Sequence, residues 1–122
     1  MEKIVCGVVS RNRRVLLVKE NSHWDLPGGV PKKFEVESSF LDSILLDMFP
    51  NTVFEIQDKY RTINDKHQRN NPRVVSYMVK INGIIRDPRI GLEFKEFKFN
   101  ETPSSLTYAA DRITRWLARD YS

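Results

Sequence analysis

The chain has a single cysteine, Cys6, so no intramolecular disulfide staples it. Cys6 lies in an apolar strand pattern and reads as a small buried side chain. A reactive thiol needs an electropositive, exposed setting, which its neighbours do not offer. No apolar run approaches the roughly 20 residues that a helix needs to cross a bilayer. Ile4 to Val9 is too short and too charged at its flanks for a signal-peptide core, so the expectation is a cytoplasmic protein with no membrane partner. Phosphate-cradling G-x-x-x-x-G-K and G-x-G-x-x-G loops are missing. His23 and His67 stand alone, without metal-ligand spacing. Ser38, Ser39 and Ser43 have no histidine base in a recognisable arrangement and read as the polar face of a helix. Repeats, low-complexity stretches and linkers are absent too. The 122 residues therefore read as one domain, 1–122, large enough to bury a core without metal or disulfide support.

What is present is an ordinary globular balance, 40% hydrophobic and 30% charged residues, with 20 Lys and Arg against 16 Asp and Glu. The net charge of +4 is mild, but its distribution is uneven. Arg11, Arg13 and Arg14 crowd one turn, and Lys59, Arg61, Lys66, His67, Arg69 and Arg73 crowd residues 59–73. Such a stretch suits a phosphate-bearing ligand, a nucleotide or nucleic acid. Tyr60 is its only aromatic, so the base-stacking signal expected of a nucleic-acid site is weak.

Hydrophobic periodicity predicts strands over 3–10 and 14–19, joined by the turn Arg11-Asn12-Arg13. A helix over 36–49 follows, stopped by Pro50-Asn51. Strands are predicted over 52–63 and 73–81, with the polar loop 64–72 between them. Asn82-Gly83 is a two-residue hairpin signal that predicts a return strand through Ile84-Ile85. Leu92 to Phe99 alternates imperfectly, which predicts a strand with an irregularity. The last helix has Thr102 as cap and Pro103 at its first position, then one apolar stripe through Leu106, Ala109, Ala110, Ile113, Trp116 and Leu117. A helix with one apolar face packs on a sheet, so the class is α/β.

Between the second strand and the first helix lies W-D-L-P-G-G-V-P-K-K-F-E, Trp24 to Glu35. Pro27-Gly28-Gly29 predicts a tight turn, because proline fixes φ and glycine tolerates φ > 0 cheaply. With Val8-Val9 and Arg14 to Lys19 upstream, this segment resembles the Nudix family, whose box reads G-x5-E-x7-R-E-U-x-E-E-x-G-U, U being bulky and aliphatic. Gly29 matches the first glycine, Glu35 the first glutamate and Leu45 the aliphatic position. Ser43 stands in place of the arginine, Ile44 and Met48 in place of glutamates, and Asp47 in place of a third. Pro50 and Asn51 replace the closing glycine and aliphatic residue, and Phe34 the glycine before the first glutamate. The element order also resembles the family's α/β/α sandwich, a mixed β-sheet between helices, over nearly the whole chain.

The resemblance implies hydrolysis of a nucleoside diphosphate linked to another group, with Mg²⁺ bridging pyrophosphate oxygens and activating water. Mg²⁺ needs oxygen ligands in near-octahedral geometry. One carboxylate between an aliphatic and a soft thioether is a poor site for it. Phe40, Ile44 and Met48 occupy the helix side that the family turns towards metal; Leu41, Leu45 and Phe49 occupy the side it packs into its core. The seven apolar residues from Val36 to Phe49 span an arc of roughly 220°, wider than the roughly 100° that one-sided burial needs. Either the former cleft is filled with core, which the pattern favours, or an apolar surface faces a ligand, a partner chain or a second subunit.

Three functional readings follow. The first is a Nudix-type domain that binds a nucleotide or other phosphorylated ligand, its box hydrolysis lost or weak. Trp24, Gly28 and Gly29 would shape its cleft, and Lys66, Arg69 and Arg73 would hold phosphate. The second is a working pyrophosphohydrolase using Mg²⁺ or Mn²⁺ on relocated carboxylates. Glu35 and Asp47 are then the catalytic candidates, and Glu35, Glu37, Asp47 and Glu96 (or Glu93) the metal candidates. For Glu37 the pattern favours the plainer reading, an ordinary first-turn glutamate stabilised by the helix dipole. The third is an RNA-binding or assembly module, with Ile44, Met48 and Leu46 as a homodimer patch.

Overall fold

The computed structural model describes residues 2–121. The elements are β1 (Lys3–Arg11), β2 (Arg14–Glu20), β3 (His23–Asp25), β4 (Gly28–Gly29), α1 (Glu37–Met48), β5 (Val53–Asn64), β6 (Arg73–Asn82), β7 (Glu93–Lys98) and α2 (Tyr108–Asp120). The strands form a seven-stranded mixed sheet in the order β3-β2-β1-β6-β5, with β4 added to β1 and β7 to β2. Only β1 and β6 run parallel, in unbroken register from Lys3 opposite Arg73 to Val9 opposite Val79. With a helix on each face, this is the α/β/α sandwich that the periodicity and resemblance predict.

Period-two alternation sorts the strand residues into two cores. Val5, Val9, Leu16, Val18 and Val79 face α1, which contributes Phe40, Leu41, Leu45 and Met48. Cys6, Val8, Val15, Leu17 and Val74 face α2, which contributes Ala109, Ala110, Ile113 and Leu117. A strand covered on both faces reads as a continuous apolar run, which is why residues 5–9 are all buried. Burial also pushes the Cys6 thiol well above its ordinary range, as expected of an inert buried cysteine, with the nearby Asp25 carboxylate adding to the shift.

Three expectations need correction. The return strand through Ile84-Ile85 does not form, although Gly83 does turn the chain with φ at +91°. Strand β5 takes one edge of β6 through to Asn82 and β1 the other as far as Val79, and the chain beyond Gly83 leaves the sheet. Instead Ile85 and Leu92 plug the α1-side core, and the Arg89 N–H donates to the Met48 carbonyl at 2.8 Å, satisfying the helix end.

Strand β7 has no irregularity, since it pairs with β2 continuously from Glu93–Lys19 to Lys98–Arg14. Its apolar residues change parity because Phe94 packs in the α1-side core and Phe97 and Phe99 in the other. Finally, α2 begins at Tyr108 rather than at Pro103. Residues 105–107 are held extended by Trp24, whose N–H donates to the Ser105 carbonyl (2.8 Å) and whose carbonyl accepts from the Thr107 N–H (3.0 Å). Thr107 is therefore the cap, its hydroxyl accepting from the Ala110 N–H at 3.3 Å.

Candidate functional site

The chain enters the site through Pro27-Gly28-Gly29, and the glycines serve closeness rather than handedness. Neither is among the positive-φ residues, contrary to the expectation from the turn motif. Gly28 pairs with Cys6 and Gly29 with Val5, and the Gly7 N–H donates to the Pro27 carbonyl at 2.8 Å. A Cβ on Gly28 would lie 2.3 Å from the Val5 carbonyl oxygen. The left-handed residue is Phe34, with φ at +68°, where the family box has glycine. Its ring is 93% exposed, and the Lys33 ammonium sits 5.2 Å from the ring centroid.

The candidate carboxylates do not converge. Glu35 folds back on its own turn, one oxygen accepting from the Lys32 N–H at 2.9 Å. Glu37 pairs with Lys3 at 2.6 Å and Lys59 at 3.7 Å, and accepts a short bond from the Tyr77 hydroxyl. The Lys3 bond, followed by the Tyr77 one, holds its carboxyl below the usual range, while burial beside Glu37 raises the Tyr77 phenol to about 12. Asp47 bonds Arg89 at 2.6 Å, and the same guanidinium reaches Glu20 at 2.8 Å. Glu96 takes Arg11 through two bonds of 2.8 and 3.1 Å. Among the described residues no three of His, Cys, Asp and Glu cluster so as to hold a metal ion. At the box positions of α1 the donor set does not fit Mg²⁺, because the one carboxylate there, Asp47, is engaged by Arg89 and stands with Ile44 and Met48, while Glu37 is taken by Lys3 and Tyr77.

The helix side in question is filled. Phe40 and Met48 are buried in the α1-side core and Ile44 packs against it. Phe40 and Ile44 also line the face of Gly29, where a Cβ would meet Phe40 Cζ at 3.2 Å and Ile44 Cδ1 at 3.7 Å. Ile44, Leu46 and Met48 consequently form no common patch; only Leu46 is exposed.

An open hollow lies on the far side of the glycines. One cavity of about 180 Å³ is lined by Cys6, Asp25, Gly28, Gly29, Gln68 and Val74, among others. A second, of about 220 Å³, shares Asp25, Leu26 and Gly28, reaches His23 and Thr107, and extends to Val18 and Met48 at the edge of the α1-side core. Asp25 stands between them. Its Oδ1 accepts from the Thr107 hydroxyl and from the Leu26 N–H, both at 2.8 Å, leaving Oδ2 without a protein donor among the described residues. Desolvation dominates the hydrogen bonds here and raises the Asp25 carboxyl above its ordinary value, with Asp65 adding to the shift.

The loop 64–72 is shaped by buried Asp65, which accepts from the His67 N–H (3.0 Å) and from the Gln68 side-chain amide (2.7 Å). This aims Gln68 at the hollow. Lys66, Arg69 and Arg73 take part in none of the ion pairs among the described residues, whereas Lys59 and Arg61 pair with Glu37 and Asp120. Trp24 does not line the hollow; its ring meets Phe97 edge-on at 5.1 Å in the α2-side core. The sequence reading passed over Asp25 and Asp65. The available signals were an aspartate beside the P-G-G turn and the D-x-H-Q spacing that lets a side chain bond its own turn.

No family model matches this sequence, and no curated protein does. Solved structures do. A Nudix hydrolase from Nitrosomonas europaea superposes with a TM-score of 0.79 at 20% identity, covering 97% of this chain and 70% of that one. An ADP-ribose pyrophosphatase from Streptococcus suis gives 0.78 at 16% identity, covering 99% and 92%. A MutT structure, from work on Aliivibrio salmonicida and Vibrio cholerae, gives 0.75 at 15%, covering 97% and 96%. At these identities the likeness is one of fold. The chain thus has the α/β/α fold of the Nudix hydrolases, built around a box helix that carries Ile44, Asp47 and Met48 where the family's pattern has glutamates.

Proposed function

We propose that this protein binds a nucleotide or a similar phosphorylated small molecule at the Asp25 hollow, and that box-type Mg²⁺-dependent hydrolysis is lost or weak. The observation that carries this reading is the juxtaposition of the hollow with unpaired cations. Gln68 lines the cavity, with Lys66 and Arg69 close to it in the 64–72 loop, whereas Arg73 alternates with lining Val74 along β6 and projects from the strand's other face. Free Asp25 Oδ2 and the Gln68 amide would take the hydroxyl or amino groups of a ligand, and the loop cations its phosphate. Proteins of this fold include an ADP-ribose pyrophosphatase and a UDP-X diphosphatase, which points to nucleoside diphosphates as the first class to try. The filled helix face and the dispersed carboxylates argue against hydrolysis by the box.

The test is thermal stabilisation and product release on one preparation, with ADP-ribose, nucleoside triphosphates and dinucleoside polyphosphates, with and without Mg²⁺ or Mn²⁺. The expected result is a metal-independent rise in Tm with at least one of them, reduced by Asp25→Asn or by Lys66→Gln with Arg69→Gln, and no product. Metal-dependent turnover abolished by Glu35→Gln or Asp47→Asn would overturn the reading in favour of a hydrolase. No stabilisation by any of the panel would also overturn it.

A further inference from the structure

The basic stretch 59–73 is poor in aromatics as a sequence, but the fold supplies them from α2. The His67 ring lies 4.3 Å from that of Tyr108, at the start of the helix. At its other end the Trp116 ring has two guanidiniums against it, Arg61 from β5 at 5.0 Å and Arg112 at 5.2 Å from the centroid. Arg61 also lies 5.4 Å from the Tyr60 ring, which neighbours that of Tyr121. Between these ends a shallow hollow of about 480 Å³ runs along Tyr108, Arg112, Arg115, Trp116 and Arg119. Cations and aromatic rings therefore alternate along about 18 Å of helix, on the face of the sheet opposite α1.

The charge is concentrated here. Arg61, Arg112, Arg115 and Arg119 gather here, with Asp120 pairing Arg61 and Arg119 and Asp111 pairing Arg115, and the adjoining loop carries Lys66 and Arg69. A merely solvated helix face explains the pairing of Arg115 with Asp111 (3.1 Å). Trp116 packs one side against the α2-side core, but core packing does not explain why two guanidiniums gather on its ring, or why every cation on the helix is arginine, whose planar group stacks as well as pairs.

We propose that this face of α2, joined to Arg61 and the 64–72 loop, is a platform for single-stranded nucleic acid. Phosphates would sit on the arginines and loop cations, and bases would stack on the open edges of the half-buried rings and on the guanidinium planes. A strand fits better than a duplex, because no helix or ribbon projects to enter a groove and the rings can receive only bases splayed from a stack. The surface is separate from the Asp25 hollow, with which it shares only the loop: Gln68 faces the hollow and His67 faces Tyr108.

The test is fluorescence anisotropy of a labelled oligouridylate of about 12 nucleotides, with the deoxy strand and a duplex of equal length as separate arms. Arg112→Gln with Arg115→Gln alters two exposed side chains and leaves the fold intact. The expected outcome is binding that weakens about tenfold in this variant, with a shallower salt dependence, and quenching of Trp116 fluorescence when the strand binds. Preference for the ribo- or deoxy-strand assigns the strand and leaves the platform standing. Equal affinity for duplex, equal competition by polyglutamate, or binding indifferent to the double substitution would each overturn it. Nucleotide-induced stabilisation at the Asp25 hollow should survive the double substitution, which keeps the two proposals separable.

Discussion

Met48→Glu restores a carboxylate to the box helix and measures what that face has become. Met48 is only 6% exposed and packs in the α1-side core. Removing its thioether chain forfeits about 2 kcal/mol of apolar burial. The new carboxyl must then stay ionised without solvent or take up a proton, and a pKa raised from about 4.3 to about 6.5 costs about 3 kcal/mol at pH 7. The sum, about 5 kcal/mol, rivals the whole stability of a marginal domain. Ile44→Glu, at a half-buried position one turn earlier, should cost only about 1–2 kcal/mol.

Urea unfolding followed by circular dichroism would measure both variants at pH 7 and pH 5. An acid whose folded pKa is raised contributes best at low pH and loses that contribution as pH rises through the folded value, so the Met48→Glu deficit should shrink at pH 5. A deficit below about 1 kcal/mol at pH 7, with no pH dependence, would show that this side chain looks into an open, wetted cleft and would refute the filled-face argument.

The glycines give a sharper steric comparison. Gly28→Ala sets a Cβ 2.3 Å from the Val5 carbonyl oxygen and 2.7 Å from Cys6 Cα, so β4 must leave β1, at a cost above the usual overpacking of about 1–3 kcal/mol. Gly29→Ala meets only the end of the Phe40 ring at 3.2 Å and should cost less than about 1 kcal/mol; equal urea midpoints for the two would contradict the close-approach account. Asp25→Asn keeps an oxygen for Thr107 and Leu26 while removing the charge. Because the Asp25 carboxyl is raised above 3.8 in the folded protein, its contribution is full below that value and lost as pH rises through the folded pKa. The asparagine variant should therefore gain on the parent protein as pH is raised from about 3 to about 7; a difference constant across that range would rule out desolvation as the cause.

Elements governed by local chemistry were readable in the sequence. The turn at Asn12-Arg13 joins β1 and β2 with both residues at positive φ, and α1 begins and ends within one residue of the span its periodicity predicts. What escaped depends on distant partners. Thr102-Pro103 is a good local cap, but Trp24 holds residues 105–107 extended and moves the helix start to Tyr108. The Asn82-Gly83 turn is a good hairpin signal, but the chain beyond it is drawn into the α1-side core through Ile85 and Leu92. Asp25 owes the bond that fixes its carboxylate to Thr107, 82 positions away, so its place beside the P-G-G turn was a weak mark. Glu35, Glu37, Asp47 and Glu96 were grouped by type and motif position, and each is taken by a different partner that only the fold supplies.

The parallel pairing of β1 with β6 also sets when the protein can begin to fold. Each β1 residue meets a partner 70 positions later in the chain. Closing a loop of that size costs about 4 kcal/mol in its logarithmic part alone, before any contact repays it. During synthesis the apolar run Val5 to Val9 emerges early and can form only its short pairings with β2 and β4 until β6, ending its β1 register at Val79, has left the ribosome. Until then the strand destined for the centre of the sheet is the most adhesive segment of the nascent chain, and chaperone capture should be concentrated in that interval. A chain cut short before Arg73 would leave that strand permanently without its central partner.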